Sequence, residues 1–195
     1  DVALIYASIG GMWAFADRVG LQPLNFDPAI VALTATHFHY AGLVLPVFAG
    51  LLLERIPDSR LASTAAVGVV LGVPVVAIGI TLAQLGLGPV VETAAGCGLA
   101  LAGMVIAVLH VRIATEKPGS ALARGLLGIS GASLFFGMFL AVVYSLRASS
   151  LPVPRLDLAT MRLLHGTVNA LGFGLCGILG WRRMMADDGG RDGRR

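Results

Sequence analysis

An imidazole one helical turn from a carboxamide, inside an apolar stretch, is the pattern with the most chemistry in this chain. It lies in residues 160–181, TMRLLHGTVNALGFGLCGILGW. Arg162, His165, Asn169, Gly172, Phe173, Cys176 and Gly180 recur every three or four positions and share one helical face. Leu163, Leu164, Leu171, Leu175 and Leu179 form the opposite, lipid-compatible face. Histidine exchanges a proton near neutral pH, and an amide can orient it or stabilise a developing oxyanion. Such groups are costly in hydrocarbon unless they are paired or line a wet cavity, so an intramembrane His and Asn point to a functional site.

A second cluster, Thr34, Thr36, His37, His39 and Tyr40, sits in residues 28–53. Two positions on a helix turn through about 200°, so His37 and His39 point to nearly opposite faces, and one metal would take both only on a distorted helix. His39 shares its face with Ala32, Ala35, Gly42, Pro46 and Gly50, which reads as a closely packed bundle interior. Either His39 is the functional histidine and His37 orients it from behind, or the helix is central and both faces matter. His39, His165, Asn169, His37, Glu92, Tyr144 and Asp27 form the expected catalytic set, with Tyr40, Thr36, Arg162, Phe173 and Trp13 on the substrate. Blander readings apply elsewhere. His110 is expected to hydrogen-bond across helices, and Glu92 is balanced between an arginine partner and a site role. Arg162 reads as an interfacial anchor or lid, and Ser130 and Ser133 can bond back to their own helix.

The elements that must carry these residues follow from composition. The 195 residues are 56% hydrophobic and 13% charged, against about 25% charged in soluble domains. The fold class is an all-α integral membrane helical bundle with about six transmembrane helices, near residues 2–16, 28–53, 61–85, 90–111, 125–146 and 160–181. Residues 1–185 form the transmembrane domain and 186–195 a disordered cytoplasmic tail. Asp27 followed by Pro28 is a helix start, and Pro74 is an expected kink. The N-terminus lacks a signal-peptide pattern, and the chain enters an apolar run at once. Ten Lys and Arg flank the helix ends on the side of the termini and four lie on the other, which puts both termini in the cytoplasm of a bacterial inner membrane. On that topology His165 lies roughly 10 Å, His37 about 13 Å, and His39 and Asn169 about 16 Å from the outer side. The net charge of +3 is a topology signal, not a nucleic-acid footprint.

At these stretches the sequence resembles the YndJ-like family of bacterial membrane proteins. The matching segments are LTATHFHYAGLVLP, residues 33–46, and LLHGTVNALGFGLCGILGW, residues 163–181, with DRVGLQPLNFDPAIV before them. The resemblance implies a polytopic inner-membrane protein, often labelled a transporter, with further hydrophobic segments before the position of Asp1.

The functional expectation is a membrane-embedded enzyme. Its His/Asn/acid pocket in the outer half would run acid–base isomerisation or cyclisation on a lipid-like, isoprenoid or polyketide substrate. The alternatives are a small-solute or proton-coupled transporter and a structural subunit of a membrane complex. No internal repeat favours the transporter. The chain lacks HExxH and a phosphate-cradling glycine loop. No cofactor is assigned; the ligand types would suit zinc or iron, and a bis-histidine haem less well. Expected partners are membrane lipids, a hydrophobic small molecule and a second copy of the chain, and not nucleic acid.

Overall fold

A computed structural model describes residues 1–116 and 119–192, with side chains through Gly189. Lys117 and Pro118 of the expected polar turn, and 193–195 of the expected tail, lie outside the described residues. The described residues form six long helices: α1 (Val2–Arg18), α2 (Pro28–Arg55), α3 (Arg60–Gln84), α4 (Val90–Thr115), α5 (Ala121–Ser145) and α6 (Leu158–Gly189). The last segment of α6, Cys176–Asp192, continues three residues beyond that range. From α2 onward each helix is long and apolar enough to cross a membrane, while α1, at 17 residues, falls just short of the usual length.

Polar residues at the boundaries set the helix starts. The Asp27 carboxylate accepts from the Ala29 amide at 2.8 Å, with Pro28 pre-set at the first position. Ser59, Ser120 and Asp157 accept from the amides of Ala62, Ala123 and Thr160. Gly86, at φ 79°, supplies the left-handed residue that lets α3 turn into α4. Pro74 lies inside a continuous α3.

Close packing relies on residues without side chains, as lipid offers no hydrophobic drive between helices. A Cβ on Gly79 would sit 2.7 Å from the Glu92 backbone, and one on Gly131 would sit 2.7 Å from the Ala107 carbonyl. These contacts draw α3 onto α4 and α4 onto α5. The core inside the bundle includes Phe48, Leu52, Val69, Ile106, Leu127, Leu134, Phe173 and Trp181.

Contacts at the helix ends fix which loops share a side. Gln84 bonds the Asn25 carbonyl at 3.3 Å and Arg147 pairs with Glu92, so the α1–α2, α3–α4 and α5–α6 connections lie together. At the other end Arg55 pairs with Asp188, and Asp187 accepts from the Ser120 amide at 2.8 Å. The same contacts correct the expected tail. Residues 186–192 are helical, because Asp187 and Asp188 bind the ends of other helices in place of water.

Candidate functional site

Both histidine-bearing stretches leave the ordinary α-helical winding. Phe38–Val44 in α2, and Arg162–Gly166 and Val168–Leu175 in α6, are π-helical, a winding frequent at functional sites. In α2 the wound stretch runs up to Pro46, which has no amide proton to give the Gly42 carbonyl four residues back. In α6, side chains take over backbone carbonyls. Asn169 Nδ2 donates to the His165 carbonyl at 2.9 Å, and Ser130 of α5 donates to the Phe173 carbonyl at 2.9 Å.

The two wound stretches meet. The His37 and His165 rings are 6.5 Å apart between centroids, with planes 7° from parallel. Tyr40 lies over Gly174, where a Cβ would come within 3.0 Å of its ring, and Phe48 meets Phe173 edge-on at 5.2 Å. His165 is anchored from α5, with Nδ1 2.8 Å from the Gly137 carbonyl. A carbonyl only accepts, so Nδ1 carries the proton and Nε2 keeps its lone pair. Asn169 is 7% exposed and lies flat on Gly137, whose lack of a side chain admits it. Its Oδ1 is buried without a hydrogen-bond partner among the described residues. Such an acceptor costs about 1–3 kcal/mol. His37 is exposed and His165 half-buried, so the pair opens sideways from the bundle.

This corrects the expected pairing of His39 with His165. The small-residue face of α2 does pack closely, but its neighbour is α1 instead of α6. Gly10 of α1 takes the His39 ring, and Gly42 takes Tyr6. The opposite face therefore meets α6, and His37 becomes the partner of His165. His39 Nδ1 donates to the Ala35 carbonyl at 2.7 Å, and the ring lines a separate groove between α1 and α2 with Thr36, Tyr40, Asp17 and Arg18.

Other expected site residues also fall elsewhere. Glu92 is paired with Arg147 at 2.6 Å, and Arg147 lies 4.0 Å from the centre of the Tyr144 ring. That cluster ties the ends of α4 and α5 and does not reach the histidines, so the arginine-partner reading of Glu92 holds. Asp27 is consumed by its cap, and Trp13 packs edge-on against Phe26 at 6.1 Å. Phe173, 2% exposed, is core between Phe48 and His110 and has no surface for a substrate. Arg162, one turn before His165, is exposed on the same helix.

His110 does bond across helices. It is fully buried; Trp181 Nε1 donates to its Nε2 at 3.3 Å, and its Nδ1 lies 3.4 Å from Ser130 Oγ. Because Trp can only donate, the His110 proton sits on Nδ1 and points to Ser130, whose own proton goes to Phe173. Ser130 thus bonds to α4 and α6 and not back to its own helix. Gly137, and Trp181 and Ser130 as the partners of His110, carry no signal in the spacing of the sequence. Gly137 acts through its backbone carbonyl, which leaves no trace in residue type.

Among the described residues no three His, Cys, Asp or Glu side chains gather within reach of one ion. Cys97 and Cys176 are not disulfide-bonded.

Comparison with known proteins agrees with this architecture. A family model described as YndJ-like protein matches residues 1–173. A membrane protein of Bacillus subtilis (strain 168), described as the uncharacterized membrane protein YndJ, is 33% identical over 180 residues, 92% of this chain. Those residues make up 31% of the relative, so the chain spans about a third of that protein's length. No solved structure matches. The chain is a membrane protein, a bundle of apolar helices, and it belongs to the YndJ-like family.

Proposed function

We propose that this chain carries the acid–base site of a membrane-embedded enzyme acting on a lipid-like substrate, with His165 as the base. The observation that carries this reading is the His165 anchor. With Nδ1–H held by the Gly137 carbonyl at 2.8 Å, the ring has one orientation and one tautomer, and Nε2 is the basic atom. His37, 6.5 Å away and parallel, is placed to give a proton from its own ring to a second position of the substrate, and the proton gained by His165 passes back to His37 to reset the pair. Asn169 supports the site from behind, its amide donating to the His165 carbonyl at 2.9 Å. Proton removal at one carbon and return at another is isomerisation or cyclisation, and it needs no further reactant. The sideways opening suits an isoprenoid, polyketide or acyl chain arriving from lipid. The ten-to-four distribution of Lys and Arg supports an orientation with both ends of this chain on the cytoplasmic side of a bacterial inner membrane, and with it a site in the outer half.

Proton-coupled transport is the second reading. It is favoured by polar groups that continue past the site, from Asn169 of α6 through Ser133 of α5, which lies against Gly172, to Ser130 of α5 and His110 of α4. Mass spectrometry of apolar molecules co-purifying with the native full-length protein separates the two. The enzyme reading expects one lipid class enriched in His165→Gln over wild type, as substrate bound and not turned over. Identical lipid profiles in both would refute it.

A further inference from the structure

The groove between α1 and α2 stands apart from the His37–His165 site and has a polarity of its own. It is an open groove of about 350 Å³. Its interior offers acceptors. The Thr36 hydroxyl gives its proton to the Ala32 carbonyl at 3.1 Å, and His39 gives its Nδ1 proton to the Ala35 carbonyl at 2.7 Å. Among the lining residues, Thr36 keeps its oxygen lone pairs, His39 its Nε2 lone pair and Asp17 its carboxylate as acceptors, and Tyr40 adds a hydroxyl. A cation stands on the rim. Arg18, its side chain 86% exposed, touches Asp17 only at 3.9 Å, and its guanidinium can turn to a second anion. Both charges sit in the last turn of α1, at the level where a membrane presents its headgroups.

We propose that this groove binds the phosphoethanolamine headgroup of a phospholipid, ammonium inside and phosphate on the rim. An ammonium bearing N–H groups donates to the Thr36 and His39 acceptors, and Asp17 adds opposite charge. The phosphate lies a few bonds away and meets Arg18 in the bidentate geometry a guanidinium favours. Trimethylated choline carries the same charge but no N–H to give. A glycerol headgroup offers hydroxyls but leaves the Asp17 carboxylate facing a net anion. The site therefore selects the primary amine over both.

Native mass spectrometry of the purified full-length protein tests this by titration with phosphatidylethanolamine, phosphatidylcholine and phosphatidylglycerol of matched chains. Wild type is expected to prefer phosphatidylethanolamine by about tenfold, the scale of one charge-assisted hydrogen bond. Asp17→Asn removes the preference, and Ala14→Phe, which fills the groove wall, abolishes the selective binding. Equal binding of the three lipids to wild type, or a preference that survives both substitutions, would overturn the proposal. Soluble glycerophosphoethanolamine is the control for source. If it displaces the lipid at equal concentration, the groove serves a water-borne aminophosphate and the lipid assignment fails.

Discussion

Gly137→Ala isolates the contact on which the His165 anchor depends. A Cβ on Gly137 would lie 2.7 Å from Asn169 Oδ1 and 2.8 Å from Asn169 Cγ, and would also strike Nδ2. These are atoms of a buried side chain already tied to the His165 carbonyl, so the amide cannot swing aside without breaking that bond. Overpacking of this kind costs about 1–3 kcal/mol, and the lost hydrogen bond adds about 1 kcal/mol. Gly125→Ala is the matched control on the same helix, since nothing lies within 4 Å of its Cβ position. There the substitution is neutral or gains about 0.5–1 kcal/mol from helix propensity. Thermal unfolding of the detergent-solubilised protein, followed by size-exclusion chromatography, should place Gly137→Ala about 5–10 °C below Gly125→Ala. The double variant Gly137→Ala, Asn169→Ala removes the obstructed amide and should recover the overpacking part, so the two changes are non-additive. Equal melting of the two single alanine variants would refute the close approach of α5 and α6 at this level.

Three further outcomes follow from the packing. Trp181→Phe leaves the buried His110 Nε2 without its donor and should destabilise the protein by about 1–3 kcal/mol, measured in the same unfolding assay. Glu92→Gln weakens a partly buried pair with Arg147 and should lower stability by about 1 kcal/mol, an effect that shrinks in high salt on denaturant titration. The Thr160 amide, bonded to the Asp157 carboxylate, holds that group below its ordinary value of 3.8. A depressed folded value means the cap contributes above pH 3.8 and is lost as pH falls through the folded value. The protection factor of the Thr160 amide, its exchange rate relative to the intrinsic rate at the same pH, should be high at neutral pH and fall below that range.

The helices were legible because they rest on local signals: long apolar runs, and Asp27–Pro28 at one start. The candidate site was only half legible. Spacing put His37 and His39 on opposite faces of α2 and placed His165 and Asn169 together, and the structure keeps both arrangements. Which face of α2 met α6 depended on α1, and the small-residue face found Gly10 and Tyr6 there. Helical periodicity ranks faces by composition but does not name the neighbour. Glu92 and Tyr144 were grouped with the histidines by depth alone, yet depth says nothing of position around the bundle, and Arg147 holds them at the α4–α5 edge. The tail reading failed for a similar reason. Residues 186–192 are polar, but Asp187 and Asp188 have partners far away in sequence.

The central claim is that His165, with His37 beside it, does acid–base chemistry on a membrane lipid. It is tested most directly in a bacterial strain that lacks its own family member and expresses the native full-length protein. Lipid extracts of cells carrying wild type, His165→Gln, His37→Gln or His39→Gln would be compared by mass spectrometry for isomeric species. The account expects one isomer pair to shift with wild type and with His39→Gln, and to revert with His165→Gln and His37→Gln. A lipid profile unchanged by His165→Gln, at equal protein level, would contradict it.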